Sequence, residues 1–164
     1  MKDIILYPTE TLYALGVNAL DADALAALYD LKSRDVNKAS SWLVRDRADI
    51  EKYAELGEKG AEIAKQFLPG ELTLILKVKD SISRDVLAQD GTIGFRITKD
   101  KTAQKLISSF MAEHDAPLTC TSANVSSSPV FPTVEEILQQ FGTKANMITR
   151  VIDDGPRKGL ASTV

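Results

Sequence analysis

The chain begins with a short apolar segment that ends at a proline. This constrains the local fold and determines where the polar residues that follow are placed. Ile4–Tyr7 is an uninterrupted apolar run that Pro8 stops. A run of that length bounded by proline is typical of a buried strand. Thr9, Glu10 and Thr11 follow at once, and residues beyond the carboxyl end of a strand often line the ligand crevice of an open α/β sheet. Alternatively, these three residues serve only a proline-initiated turn and satisfy local backbone groups.

The remaining patterns predict strands and helices mixed along the whole chain. The further predicted strands span residues 42–44, 72–78, 92–97, 118–121 and 147–153, and the predicted helices span 21–32, 48–56, 58–67, 101–113 and 133–142. The helix over 101–113 has the clearest pattern, because its apolar residues recur at i, i+3, i+4, i+7 and i+8. We therefore expect an α/β fold, with one domain over residues 1–164 built on a twisted, open, mixed sheet with flanking helices.

Composition excludes several classes of protein. The formal net charge of -3 argues against a strongly basic nucleic-acid binder. One Cys and one His are too few for a disulfide framework or a Cys/His zinc site, and they suit a reducing cytoplasm. No apolar run approaches the roughly 20 residues of a membrane span, so we expect a cytoplasmic protein with no membrane partner. Glycine-rich phosphate loops do not occur in the sequence, so a nucleotide site would need side-chain cations and hydroxyls.

Three cations near the end of the helix over 21–32 form the first candidate binding group. Lys32, Arg34 and Lys38 fall within seven residues. The planar guanidinium of Arg can form two hydrogen bonds to one phosphate group, and the ammonium of Lys provides a compact positive charge. The set therefore suits a triphosphate. Alternatively, these cations stabilise a helix C-terminus and otherwise lie in water.

Two further candidates follow or interrupt predicted strands. Ser122 and Asn124 come after an apolar strand, where they can bind ribose or phosphate or can form a local turn. Arg96 lies inside an apolar strand and needs a partner or a cavity, so a carboxylate ligand and a structural ion pair serve equally well. Cys120 and His114 do not make a credible nucleophile–base pair, because no third orienting group is evident.

Taken in order, these segments resemble the YrdC/TsaC-like family of threonylcarbamoyl-AMP synthases. The resemblance rests on Tyr7-Pro8-Thr9-Glu10-Thr11, Lys32-Ser33-Arg34 with Lys38, Ser122-Ala123-Asn124 and Ser162-Thr163-Val164, and is extended by Phe67–Thr73 and Asp153–Pro156. Each motif is weak alone, whereas the ordered set is specific. The resemblance implies a YrdC-like open sheet with a concave cationic cavity.

The resemblance also implies an activity and roles for particular residues. The activity is that of an L-threonylcarbamoyladenylate synthase, a nucleotidyltransferase that joins L-threonine, bicarbonate and ATP, with Mg²⁺ on the phosphates. Its products are threonylcarbamoyl-AMP, used to modify tRNA, and pyrophosphate. The implied catalytic cations are Lys32, Arg34 and Lys38. The implied ATP-binding residues are Arg34, Lys38, Thr92, Ser122, Asn124 and the backbone of Val130. The implied L-threonine-binding residues are Thr11, Arg96, Ser162 and the backbone of Cys120, with Arg96 on the carboxylate. No side chain is implied as a metal ligand. Implied partners are tRNA or double-stranded RNA and the tRNA threonylcarbamoyl-transferase machinery.

Several positions depart from the family pattern. Asp35 stands where Pro is usual and places a negative charge near the phosphates, and Leu43 stands where members often carry His. The chain is short at both ends relative to the family, whose members continue into a strand and an Arg-Pro-Gly segment that helps to close over ATP. We therefore expect the chain to fold but to turn over poorly. The alternative is a YciO-like relative that binds nucleotide or RNA without making the adenylate, which retention of Lys-x-Arg and Ser-x-Asn disfavours.

Overall fold

The computed structural model describes residues 3–36 and 38–164. The strands in this part of the chain are β1 Ile4–Pro8, β2 Tyr13–Gly16, β3 Ser41–Leu43, β4 Leu74–Lys77, β5 Thr92–Arg96, β6 Leu118–Ser122 and β7 Ile148–Val151. The α-helices are α1 Ala22–Lys32, α2 Arg47–Tyr53, α3 Gly57–Phe67, α4 Lys101–His114 and α5 Val134–Phe141. Two short 3₁₀ helices, Arg84–Val86 and Gly142–Met147, complete the described elements.

The strands form one mixed sheet in the order β4-β5-β3-β6-β2-β1-β7. Pairs β1–β7 and β3–β5 are parallel, and the remaining neighbours are antiparallel. The single-domain α/β fold with an open mixed sheet is therefore confirmed. The register pairs Pro8 with Tyr13, Ala14 with Ser122 and Ser41 with Cys120. The turn after β1, the end of β6 and the start of β3 consequently meet at one end of the sheet.

The strand β2 is an element that the sequence pattern did not predict. Its four residues are all buried, so they show no alternation of polar and apolar side chains, and periodicity gives no signal. Gly16 at its end is required by packing, because a Cβ atom there would lie 2.8 Å from the backbone oxygen of Thr119. Strands β1 and β2 form an antiparallel β-hairpin, and the Thr-Glu-Thr group lies in the turn between Pro8 and Tyr13.

Two predicted strands are shorter than expected. Strand β4 begins at Leu74 rather than Leu72, because Leu72 instead forms a parallel bridge with Thr163 near the C-terminus. Strand β7 begins at Ile148, since Met147 ends a 3₁₀ helix. Helix α2 ends at Tyr53, three residues before the predicted boundary. All three differences come from pairing or turn geometry that an apolar run does not encode.

Helices α1, α2, α4 and α5 begin at residues whose side chains cap them, whereas α3 follows Leu56 without such a cap. Asp21, Asp100 and Thr133 each accept a hydrogen bond from a backbone N–H of the first turn, which satisfies a group the helix leaves unpaired. The predicted apolar face of α4 is buried, and Trp42 lies fully buried in the middle of the sheet. No helix in residues 3–36 and 38–164 is long and apolar enough to cross a membrane. The rigid sheet thus fixes the strand ends at which the candidate site is built.

Candidate functional site

The turn between β1 and β2 contains two threonines that line a cavity, and one of them also forms the turn. Thr9 Oγ1 accepts hydrogen bonds from the N–H groups of Thr11 and Leu12, both at 3.2 Å, and donates to Leu12 O at 2.6 Å. Thr9 therefore has the turn-forming role. Thr11 Oγ1 lies 3.0 Å from Thr9 Oγ1 and 3.5 Å from Arg96 Nη2. The turn geometry consequently orients the Thr11 hydroxyl towards the guanidinium.

Arg96 ends β5 and is 7% exposed. Its Nη2 lies 3.6 Å from Glu10 Oε1, and its Nη1 donates to Cys120 Sγ at 3.4 Å. Thr98 holds the other carboxylate oxygen of Glu10 through a hydrogen bond from its hydroxyl. The Arg96 Nε group has no hydrogen-bond partner in the described structure. The ion pair compensates the buried charge, and the long contacts leave the guanidinium with hydrogen-bonding capacity for a ligand.

A cavity of about 250 Å³ lies in front of this guanidinium. All four residues that the resemblance implies for L-threonine line it, namely Thr11, Arg96, Cys120 and Ser162. The volume is below the range of about 300–1,000 Å³ usual for drug-sized ligands. The cavity therefore suits a small molecule that carries a carboxylate.

Ser162 is brought to this cavity by the C-terminal segment rather than by the sheet. Its hydroxyl lies 3.0 Å from Thr73 Oγ1, and Thr73 N donates to Thr163 O at 2.8 Å. Thr73 itself lines the cavity, as do Tyr13 and Ser41. Sequence reasoning did not assign these three residues to the site. For Thr73 the only available signal was its place in the Phe67–Thr73 segment.

Lys32 is buried, whereas the sequence suggested a cation that reaches phosphate directly. Only 1% of the residue is exposed. Its Nζ donates to Ser122 O, to Asn124 O at 2.7 Å and to Asn124 Oδ1 at 3.4 Å. Burial, together with the nearby Arg34, lowers the pKa of Lys32 to about 7. The ammonium therefore ties the end of α1 to the loop after β6, and it supports the Ser-Ala-Asn segment from beneath.

The other two cations lie in the loop after α1. The Arg34 guanidinium donates to Lys38 O at 2.8 Å and to Ala39 O at 3.1 Å, which closes this loop. Lys38 is exposed. Asn124 folds its own loop, since its Oδ1 accepts from Ser122 Oγ at 2.6 Å and its Nδ2 donates to Ser128 O at 2.7 Å.

A second cavity of about 340 Å³ lies between these two loops. It is lined by the three cations Lys32, Arg34 and Lys38, by Asp35, and by hydroxyls and the amide from residues 122–127. Arg34 and Ser122 line both cavities. The two cavities therefore adjoin, so that an anion in the second would meet a ligand in the first at Arg34.

Two residues assigned to the nucleotide from the sequence lie outside both cavities. Thr92 starts β5, and its hydroxyl donates to Asp90 Oδ1 at 2.7 Å. Four residues of extended chain, about 13 Å, separate it from Arg96 at the other end of that strand. Val130 lies 46% exposed beyond the Asn124 loop. The structure therefore brings together all the other assigned residues and not these two.

Comparison with known proteins gives a consistent result over the whole chain. A family model described as Sua5/YciO/YrdC, telomere recombination, matches residues 2–164. A putative threonylcarbamoyl-AMP synthase of Methanocaldococcus jannaschii is 39% identical over 155 residues, which are 94% of this chain and 69% of the relative. The threonylcarbamoyl-AMP synthase of Bacillus subtilis is 33% identical over 169 residues, with coverage of 99% and 46%. The crystal structure of Pyrococcus abyssi Sua5 complexed with L-threonine superposes with a TM-score of 0.87 at 29% identity, over 99% of this chain and 46% of that one. The chain thus spans about half to two thirds of the length of these relatives.

Proposed function

Because the chain belongs to the Sua5/YciO/YrdC family, we propose that it is a threonylcarbamoyl-AMP synthase, a nucleotidyltransferase that condenses L-threonine, bicarbonate and ATP. The observation that carries this proposal is the pair of adjoining cavities that share Arg34 and Ser122. One is small and contains a buried guanidinium, and the other is lined by three cations. A reaction that joins an amino acid to a nucleotide needs two such compartments side by side.

In this proposal the smaller cavity holds L-threonine. Arg96 binds its carboxylate, because a planar guanidinium matches a carboxylate in a bidentate manner and Arg96 lines this cavity. Thr11 and Ser162 offer hydroxyls that can bind the amine or the threonine hydroxyl. The similar Pyrococcus abyssi Sua5 structure is a complex with L-threonine, which supports the same assignment.

The larger cavity holds the phosphates of ATP. Arg34 and Lys38 neutralise them, while Lys32 contributes charge and fixes the loop that presents Ser122 and Asn124. Mg²⁺ would be held mainly by phosphate oxygens and water, which is its usual arrangement in nucleotide sites. In the described part of the chain no group of three His, Cys, Asp or Glu side chains is placed to hold a metal.

The chemistry then follows from the placement of charge. Bicarbonate releases hydroxide to give CO₂, and the amine of threonine adds to the carbon of CO₂. The amine proton passes to the hydroxide, so that a carbamate and one water molecule are formed. A carbamate oxygen attacks the α-phosphorus of ATP, and the bond to the β-phosphate oxygen breaks, releasing pyrophosphate. Both reacting groups are anionic, so Arg34 and Arg96 reduce their repulsion. The residues that line both cavities, Arg34 and Ser122, orient the two groups. No side-chain nucleophile is needed.

We further propose a cytoplasmic role in tRNA modification, in which the adenylate passes to the tRNA threonylcarbamoyl-transferase machinery. Direct binding of tRNA or double-stranded RNA is the alternative for a YciO-like relative. The net charge of -3 disfavours it, because RNA binding depends on positive charge.

The test is threonine-dependent release of pyrophosphate. The purified chain is incubated with ATP, Mg²⁺ and bicarbonate, with and without L-threonine, and pyrophosphate is measured. Release that requires threonine supports the proposal. Salt-sensitive RNA binding without any threonine-dependent release would support the YciO-like alternative instead.

A further inference from the structure

The segment that delivers Ser162 to the cavity is held mainly by polar contacts. We call residues 154–163 the strap. Most strap residues are exposed, including Leu160 at 86%. Segments with few buried apolar contacts open locally at low free energy. The position of the strap therefore depends on a small number of hydrogen bonds.

Arg157 makes the densest set of these hydrogen bonds. Its Nε donates to Thr9 O at 3.0 Å. Its Nη1 donates to Asp154 O at 2.7 Å and to Gly155 O at 3.4 Å. Its Nη2 donates to Asp100 Oδ2 at 3.1 Å and to Asp154 Oδ2 at 3.0 Å. A guanidinium has five N–H donors, so every one is engaged.

Two of the five contacts leave the strap, one to Thr9 in the turn that forms the floor of the site and one to Asp100. The other three lie within the strap and fold it around the guanidinium. Thr9 belongs to the β1–β2 turn that orients Thr11, and Asp100 is the N-cap of α4. Two residues further along, Gly159 N donates to Thr11 O at 3.0 Å. Three residues beyond that contact lies Ser162. The side chain of Arg157 is only 17% exposed, which shields its ion pair with Asp100 from solvent.

We propose that Arg157 is a positioning residue for the amino-acid site, which locks the strap onto the β1–β2 turn and so holds Ser162 in the threonine cavity. Its effect on threonine rests on the proposed function, whereas its effect on the strap does not. Arg157 does not line either cavity, so it acts through Ser162 and Gly159 rather than on the ligand.

The first experiment measures the strap without any ligand. Amide hydrogen exchange at Gly159 and Thr163 is followed in the wild type, in Arg157→Ala and in Arg157→Lys. Arg150→Ala is the matched control, since Arg150 is exposed on β7 and lines neither cavity. Exchange at both amides should become about tenfold faster in Arg157→Ala, less so in Arg157→Lys, and should not change in the control. Unchanged amide exchange in Arg157→Ala would overturn the proposal, whichever reaction the protein catalyses.

The second experiment tests whether the strap acts through Ser162. The KM for L-threonine should rise about tenfold in Arg157→Ala while kcat at saturating threonine stays within about twofold, because the binding that is lost is equal in the ground state and the transition state. In a Ser162→Ala background the same Arg157→Ala change should have little further effect, since interacting residues are not additive. Fully additive effects on KM would overturn the link to Ser162.

A failure of the proposed function gives a different pattern. A wild-type protein that neither binds L-threonine nor releases pyrophosphate would overturn the synthase assignment and with it the effect of Arg157 on KM. The exchange data would still decide whether Arg157 anchors the strap.

Discussion

Replacing Arg96 by lysine should remove most of the affinity for L-threonine and leave the fold intact. The substitution keeps a positive charge beside Glu10 Oε1, which lies 3.6 Å from the guanidinium. The contacts that are lost inside the protein are long, at 3.4 Å to Cys120 Sγ and 3.5 Å to Thr11 Oγ1. The intrinsic cost to stability is consequently small.

The cost to binding is larger because lysine cannot reproduce the planar fork. A lost hydrogen bond to a charged group costs about 1.5–3 kcal/mol, which corresponds to a roughly ten- to hundredfold rise in the dissociation constant. Arg96→Met should behave differently. It leaves Glu10, whose side chain is 11% exposed, without its cation, and breaking a buried pair costs about 3–5 kcal/mol of folding stability.

Calorimetric titration with L-threonine measures the binding, and thermal unfolding monitors the fold. Arg45→Lys is the matched control, because Arg45 forms a bidentate pair with Asp49 at 2.7 and 2.8 Å and lines neither cavity. The control should bind threonine normally. A folded Arg96→Lys protein whose affinity stays within about twofold of the wild type would refute the bidentate model.

Three further changes probe other parts of the site. Arg34→Ala should weaken ATP binding by about 1.5–3 kcal/mol and threonine binding much less, since Arg34 is one of three cations lining the larger cavity; equal losses by calorimetry would contradict the assignment. The pKa of Lys32 is lowered from 10.5 to about 7 in the folded protein, so between these pH values the unfolded chain binds more protons than the folded one. The free energy of unfolding should therefore rise as the pH increases from about 7 towards 10.5, by up to about 1.4 kcal/mol per pH unit. Denaturant titrations at several pH values should show this rise in the wild type and not in Lys32→Met, and equal slopes would count against it. Gly159→Ala should displace the strap and weaken threonine binding, because its Cβ would lie 2.5 Å from Thr11 O, whereas the exposed neighbour change Lys158→Ala should leave affinity unchanged.

The sequence predicted the sheet, and it singled out as site candidates those residues whose chemistry stands out from their surroundings. Arg96 was visible as a charge inside an apolar strand, but the pattern left an ion pair and a ligand site equally open. The structure shows the ion pair with Glu10, and the Nε group of Arg96 has no hydrogen-bond partner in the described residues. The ligand role of Arg96 stays a prediction. Lys32 could not be placed from spacing, because burial on the carbonyls of Ser122 and Asn124 is a tertiary contact across about ninety residues.

The C-terminal part of the site was the least predictable. The strap has no helical or strand periodicity, so no local pattern marks Arg157 as an anchor. For the same reason no local pattern marks Thr73 as a distant partner of the strap. Their roles depend on long-range register, with Thr73 N bonded to Thr163 O at 2.8 Å. Strand β2 was missed for the related reason that a fully buried four-residue strand carries no alternation.

The most direct test of the proposed reaction is identification of its product. The chain is used at a concentration close to that of ATP, so that even slow turnover yields product, and it is supplied with Mg²⁺, L-threonine and ¹³C-bicarbonate. Mass spectrometry should detect threonylcarbamoyl-AMP that carries the label, formed only when threonine and ATP are both present and strongly reduced in Arg96→Lys. Consumption of ATP without labelled threonylcarbamoyl-AMP, in a protein that is folded, would contradict the assignment of the two cavities.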